Sequence, residues 1–588
     1  MLELAGVAPD ERVLGGWRVR VARARDGLGW PAGAIVVRRH ATGASLAIEA
    51  PCDALFTATE LNEWAIAATV AELDPLRWPA LPAALLAEAL ENARDPADVI
   101  PPAIDEAMAR ARLEALAARE RNPRLCALLA RAGPLQRVLD EDALTLGAGA
   151  GGTSWPLAAL PDPDAVPWSQ LHGVPTVAVT GSNGKTTTVR LLAACATEAG
   201  RIAAYNSTDG VHVGGARVES GDYAGPAGAR LVLRDRRTEV AIIETARGGI
   251  LRRGFAMTSA DVAVVTNISA DHFGEYGIHD LAGLADVKLA VARLLGGASG
   301  HEGLLVLNAD DAELVARAPR APRHALAWFA LDADHPRLVL HRAAGGATAG
   351  VRAGELLLAR EGTETSLGAV AAMPLAVGGS ATYNVANLAA AVLAAAAIGI
   401  PTQAIAAVCA RFGSDPADNP GRLMRFDVGG VQVLVDYAHN PEGIRGLLNV
   451  AEHLRGGRGR LGVLLGHAGN RLDEDIRALA GAAAAFHPAL VVVKENEAHL
   501  RGRALGEIPR LLRTELVRLG LAESALPVCT TELDAARCAL AWARPGDVLA
   551  MPIHAAAARE AVLALLALET RAALRRAART SPSPPPRR

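Results

Sequence analysis

An apolar run, Val177-Ala178-Val179, leads straight into Thr180-Gly181-Ser182-Asn183-Gly184-Lys185-Thr186-Thr187-Thr188, and a helical pattern continues through Ala199. Strand, glycine turn, lysine, hydroxyl and helix in that order make a polyphosphate cradle. Backbone N–H groups and the helix N-terminus face the anion, Lys185 reaches the terminal phosphates, and Thr186 offers an oxygen to Mg2+. Gly181, Asn183, Gly184, Lys185, Thr186 and Thr187 are therefore the expected ATP-binding loop. The longer phosphate loop has glycine five residues before Gly184, where this chain has Val179, so the shorter form is expected. The plain alternative, an Asn-Gly turn ahead of a helix, leaves the lysine and the hydroxyl without a purpose.

Lysine occurs only at Lys185, Lys288 and Lys494, so 57 of the 60 basic residues are arginine (60 less 3). Such a chain has drifted to arginine wherever arginine serves. A lysine that persists marks a place needing a compact point charge or an amine that can lose its proton. Chance survival is the competing account, and each position is weighed in its own context.

These residues need a scaffold. At roughly 150 residues per domain, 588 residues suggest three or four domains. With 51% hydrophobic and 21% charged residues the chain reads as globular. A net charge of −3 gives no global attraction to nucleic acid or to an anionic membrane. Six cysteines without CxxC spacing indicate neither a disulfide framework nor a zinc knuckle. Met1-Leu2-Glu3 opens no basic-then-apolar leader, and the apolar stretches at 388–400 and 478–493 are shorter than a membrane span. A cytoplasmic protein is expected.

The fold class expected is α/β: an N-terminal α+β domain over 1–165, a central P-loop parallel-sheet ATPase domain over 166–418, a Rossmann-like C-terminal domain over 419–570 and a disordered tail over 571–588. In the first, residues 17–24 and 34–48 read as strands, the latter turning at Thr42-Gly43, and 58–73, 83–93 and 104–130 as helices. Prolines 161, 163 and 167 make a stiff junction. Strands at 176–180, 240–243, 262–266 and 304–307 alternate with helices, the rhythm of a parallel sheet covered on both faces. A second such series has strands at 431–435, 461–465, 490–493 and 548–551.

The loop Thr180-Gly181-Ser182-Asn183-Gly184-Lys185-Thr186-Thr187 resembles that of the Mur ligase superfamily. Further blocks agree in order: Glu244-Thr245-Ala246-Arg247-Gly248-Gly249-Ile250-Leu251-Arg252-Arg253-Gly254, the block from Thr266 to His272, Asn308-Ala309-Asp310-Asp311, Asn384-Val385-Ala386-Asn387, Gly421-Arg422 and Asp436-Tyr437-Ala438-His439-Asn440-Pro441. The resemblance runs over roughly 165–570. Glu244 to Gly254, and Lys494-Glu495 followed by Leu500-Arg501-Gly502-Arg503, look most like the Mur-ligase-like half of the cyanophycin synthetases. Those also carry an ATP-grasp module, for which the 165 residues ahead of the loop leave no room beside an N-terminal domain. Its aspartate-adding activity is not expected in this chain.

The resemblance implies ATP and Mg2+ as cofactors and an acyl-phosphate mechanism. Thr186, Glu244 and His272 would be metal ligands. Lys288, in a helix sixteen residues after His272, stands where many superfamily members carbamylate a lysine whose new oxygens hold Mg2+, a change arginine cannot undergo at neutral pH. Lys185, Glu244, His272 and Lys288 are thus the expected catalytic set. Asn308, Asn384 and Asn387 resemble nucleotide-side asparagines, and Arg422 and Asp436 would contact phosphate and ribose from across a hinge.

For substrate, Arg247, Arg252 and Arg253 form a cationic segment suited to an acidic peptide or amino-acid acceptor. His439, Asn470, Arg471, Lys494 and Arg501 lie at strand ends of the third domain, where open α/β sheets take ligands. The resemblance suggests a basic amino acid as the incoming amine, with Asp473, Glu474, Asp475 and Glu495 available to its guanidinium. The expected activity is ADP-forming ligation of an amino acid to an activated carboxylate. The alternative is a nucleotide-binding partner or regulator of a separate polymer synthetase that has lost ligation. No nucleic-acid or membrane partner is expected, and a homo-oligomer is left open.

Overall fold

The computed structural model describes residues 2–5, 9–40, 43–73, 100, 105–270, 273, 275–296, 303–318, 326–469, 471–495 and 500–580. The chain forms two compact units, one from residues 1–147, 153–172 and 274–279, the other from 148–152, 173–273 and 280–588.

In the first unit the strands Leu2–Ala5 and Ile35–His40 flank Gly43–Ile48 in an antiparallel sheet, as the reading of a hairpin near residue 42 required. Residues 17–24 are not a strand. They lie in the helix Glu11–Gly27, because Val13, Leu14, Trp17, Val21 and Ala24 recur at helical spacing and bury one face. The alternation of valine and arginine there is a coincidence of period. The helix expected over 104–130 is two, Glu106–Glu120 and Pro123–Ala132. Proline at the first turn cannot continue a preceding helix, and the Asn122 side chain caps the new one by accepting from Leu125 N. The helix expected over 83–93 lies outside the described residues. A second antiparallel sheet, Arg137–Leu139, Ala143–Leu146 and Thr153–Pro156, was not foreseen.

The second unit holds two large sheets. In the eleven-stranded one, Ala203–Ser207, Val240–Glu244, Thr176–Thr180, Val262–Val265, Leu304–Asn308, Leu326–Asp332 and Ala347–Arg352 run parallel in that spatial order, and antiparallel strands extend both edges. The sheet is therefore mixed, not purely parallel. Thr176–Thr180 is central and wholly buried. The helices Lys185–Glu198 and Thr382–Ala397 pack together on one face in a core of aliphatic residues and alanine. The second sheet orders Met424–Val428, Val431–Asp436, Val548–Pro552, Leu461–Leu465, Leu490–Lys494 and Val528–Cys529, all parallel except the first pair. Apolar clusters cover both of its faces.

The helix Ala556–Thr580 continues past residue 571, where a disordered tail was expected to begin. Alanine, leucine and arginine dominate 572–579, and all three are strong helix formers. No described helix is long and apolar enough to cross a membrane.

Candidate functional site

The carboxyl ends of the parallel strands gather the chemistry-bearing residues on one edge of the eleven-stranded sheet, the side where open α/β sheets bind ligands. Thr180 is followed there by the glycine loop, Glu244 ends its strand, Val265 leads into Thr266, and Asn308 ends the next. The loop backbone demands glycine twice. Gly181 has φ +145° and a Cβ there would lie 1.8 Å from Thr266 Oγ1; Gly184 has φ +85° and a Cβ would lie 2.1 Å from Asn387 Oδ1. Thr266 Oγ1 donates to Asn183 O at 2.6 Å, and Asn183 N donates to Asn267 Oδ1 at 2.9 Å. Lys185 Nζ donates to Gly181 O and Ser182 O, both at 2.9 Å, so the ammonium folds back over the loop.

Thr186, in the first turn of the loop helix, donates from Oγ1 to Glu244 Oε2 at 2.9 Å. Glu244 is completely buried, and its Oε1 has no hydrogen-bond partner. Burial pushes its carboxyl above the usual range, against Lys185, the Thr186 hydroxyl and Arg422, which favour the anion. A hard oxygen donor left unsatisfied beside a hydroxyl in the first turn of the loop helix fits a divalent cation that prefers oxygen ligands. Thr186 and Glu244 are thus able to hold Mg2+. Lys288 Nζ, buried to 4% exposure, donates to Gly181 O at 2.8 Å, which brings the second surviving lysine to the same loop. His272 lies outside the described residues.

Four guanidinium- and carboxylate-bearing residues, one of them expected, meet on the other flank of the loop helix. Arg422 Nη2 donates to Thr208 Oγ1 at 3.0 Å, and its guanidinium stacks over the Tyr437 ring at 4.3 Å. Asp209 bonds Arg190 Nη2 at 2.8 Å and Arg559 Nη2, with Arg422 Nη2 at 4.0 Å. Burial would raise the Asp209 carboxyl, but Arg422, Arg190 and Arg559 outweigh it and hold the group below the usual range. Three guanidiniums surround the Asp209 carboxylate on this flank. Arg190, Thr208, Asp209 and Arg559 were missed from the sequence, since Ser207-Thr208-Asp209-Gly210 has the composition of any surface turn.

The two sheets of this unit meet at the loop. Asn440 Nδ2 donates to Asn183 Oδ1 at 2.9 Å, and Thr187 Oγ1 accepts from Asn419 Nδ2 at 3.2 Å. Asp436 is engaged by backbone, accepting from Leu423 N at 2.6 Å and Ala438 N at 2.7 Å, so it holds the Arg422 segment in place. Burial raises its carboxyl above the usual range, with Arg422 and the backbone donors opposing. Asn308 Nδ2 donates to Thr266 O at 3.1 Å. Asn387 Nδ2 donates to Asn384 Oδ1 at 3.1 Å, and Asn384 Nδ2 to Leu375 O, which aims Asn387 at Gly184.

The expected substrate residues scatter. Arg247 is buried, whereas Arg252 and Arg253 are exposed at the end of the helix Arg247–Arg253. Arg501 is exposed with φ +44°. Arg471 is buried, and its carbonyl accepts from Arg503 at 2.7 Å. His439 Nδ1 lies 3.2 Å from Tyr437 O. Asn470 lies outside the described residues. Lys494 corrects the expectation: it is 1% exposed and its ammonium pairs with buried Glu532, so it is not offered to a substrate. Burial draws the Lys494 amine down from its usual range, and Glu532 opposes this.

The Mur ligase middle domain family model matches residues 179–395, and that of the Mur ligase glutamate ligase domain matches 421–551. A cyanophycin synthetase of Crocosphaera subtropica is 38% identical over 340 residues, covering 58% of this chain and 38% of that protein. One from a Nostoc species is 36% identical over 357 residues, 61% of this chain and 38% of that protein. A UDP-N-acetylmuramyl-tripeptide synthetase of a Roseiflexus species is 30% identical over 392 residues, 63% of this chain and 72% of that protein. The chain thus spans well under half the length of the cyanophycin synthetases it matches.

Proposed function

The chain belongs to the Mur ligase family, and from that premise we propose that it is an ATP-dependent, ADP-forming ligase that joins an amino-acid amine to an activated carboxylate. The observation that carries the reading is the Thr186–Glu244 pair at the start of the loop helix, with Glu244 Oε1 buried and unpartnered.

Two steps are required. A substrate carboxylate oxygen attacks the γ-phosphorus, the β–γ P–O bond breaks and ADP leaves. The amine then attacks the acyl carbon, phosphate departs and the amine proton is lost. The first step brings anions together, so its barrier falls with positive charge fixed in advance around the phosphates. The loop N–H groups and the helix N-terminus bind the polyphosphate, Lys185 supplies a mobile ammonium, and Arg422, steadied by Thr208 and Tyr437, supplies a planar guanidinium. Thr186 and Glu244 would hold Mg2+, which when bound neutralises phosphate oxygens. Because Arg422 and Asn440 come from the sequence beyond the loop's own sheet, docking of the second sheet completes the nucleotide surround. Lys288 is the candidate for carbamylation, which would replace an ammonium beside Gly181 O with an anion able to ligate metal.

The exposed guanidiniums of Arg252 and Arg253 favour an acidic peptide or amino acid as acceptor. Phosphate release, measured across an array of amino acids with acidic peptide acceptors and followed by product mass, tests the proposal. Gain of one amino acid less water supports ligation. Nucleotide binding with no amino-acid-dependent release favours the regulatory alternative.

A further inference from the structure

The third surviving lysine does not reach the phosphate loop. Lys494 ends the strand Leu490–Lys494 and is packed so closely that a Cβ on Gly466 would sit 2.7 Å from its Cγ. Its Nζ bonds Glu532 and lies 3.4 Å from His554 Nδ1. Glu532 accepts in addition from His554 N and Ala555 N, both at 2.9 Å, which secures the backbone entering the helix Ala556–Thr580. On the far side of the imidazole, His554 Nε2 is 3.1 Å from Ala438 O.

An ammonium has donors only, and a carbonyl oxygen accepts only. The nitrogen facing the carbonyl must therefore carry the hydrogen, and Nδ1, 3.4 Å from the Lys494 ammonium and 3.6 Å from Glu532 Oε1, is the bare one with the ammonium as its nearer neighbour. We propose that Lys494 is a positioning residue that holds His554 in the Nε2–H tautomer, so that the ring donates to Ala438 O and fixes the turn over residues 436–440. That turn carries Asp436, whose carboxylate holds Leu423 N, and Tyr437, whose ring meets those of His554 and His439 edge to face at 5.4 Å and supports Arg422. Arginine is unsuited to the position. Its planar fork cannot serve Glu532 and Nδ1 from one point in a space that already excludes a methyl group at Gly466. This accounts for a lysine kept where the rest of the chain turned to arginine.

The inference rests on the nucleotide reading above. The test is calorimetric binding of the magnesium complex of a non-hydrolysable ATP analogue with an imido β–γ bridge, using full-length protein. Lys494→Met weakens binding at least fivefold. His554→Gln places an amide donor near Nε2 with no tautomer to choose, so adding Lys494→Met to it costs less than twofold. A merely structural ion pair would lower the melting temperature and leave the dissociation constant alone. If Lys494→Met does not fold, the ring 15N signals of wild-type His554 at pH 7, assigned by their loss in His554→Gln, show bare Nδ1 and protonated Nε2. Wild-type protein that does not bind the analogue overturns the nucleotide reading and this inference together. Wild-type binding with an unchanged Lys494→Met, or a protonated Nδ1, overturns this inference alone.

Discussion

Replacing Asp209 by asparagine isolates the charge that joins the loop helix to the helix Ala556–Thr580. The side chains of Asp209, Arg190 and Arg559 are 13%, 4% and 10% exposed, so water screens the cluster little. Removing one partner from a buried ion pair leaves the other charge uncompensated and costs about 3–5 kcal/mol. Asparagine keeps the shape and one acceptor oxygen, so we take the lower end, about 3 kcal/mol, or roughly a hundredfold in the folding equilibrium. Urea titration followed by far-ultraviolet circular dichroism and by tryptophan fluorescence measures it, with coincident curves needed before a free energy is assigned.

The acid limb gives a second reading of the same group. The folded Asp209 carboxyl is held below its usual range because three guanidiniums outweigh its burial. A depressed carboxylate contributes stability that is fully present above the unfolded value, about 3.9, and is lost as pH falls through the folded value. Stability of the wild type therefore drops as pH is lowered from about 4, and Asp209→Asn lacks that share of the slope. A variant within about 0.5 kcal/mol of wild type, the range of ordinary surface substitutions, with an unchanged acid limb, would refute the account of this cluster.

Other outcomes follow from the loop. Gly184→Ala drives a methyl group into Asn387 Oδ1 at a positive φ, and is expected to weaken binding of the ATP analogue at least tenfold by calorimetry; unchanged affinity contradicts the loop geometry. Thr186→Val leaves Glu244 buried without its donor, destabilises by about 1–3 kcal/mol and lowers ATP turnover about a hundredfold, checked by phosphate release and thermal melting side by side. Lys288→Ala abolishes turnover, and short carboxylic acids restore part of it if a carbamate is the active form; full activity in the variant disposes of that role.

Much of the site was legible because its residues are local in sequence. A strand, a glycine turn and a helix start place Gly181, Gly184, Lys185 and Thr186 within a few residues of one another, and the positive φ at both glycines is a local backbone requirement, to which the fold adds the close approach of Thr266 and Asn387. The aliphatic strands Val262–Val265 and Leu490–Lys494 were equally plain, since a strand buried on both faces is an unbroken aliphatic run, whereas the parallel strands Ala203–Ser207, Leu326–Asp332 and Ala347–Arg352 were not read from the sequence. Residues 17–24 misled because the five residues Trp17 to Val21 alternate between apolar side chains and arginine and satisfy a period of two, while the wider pattern follows 3.6.

The tertiary structure decided which polar groups meet at long range. Asp209 and Arg559 are 350 positions apart and Lys494 and Glu532 are 38 apart, and neither pairing leaves a periodic or compositional mark. Lys494 has the chemistry of a substrate contact in the sequence and becomes an internal counter-charge in the fold. Periodicity reports which face of an element is buried. Only packing reports which partner is waiting there, because the cost of an unpaired buried charge is set by the groups that surround it and not by its neighbours along the chain.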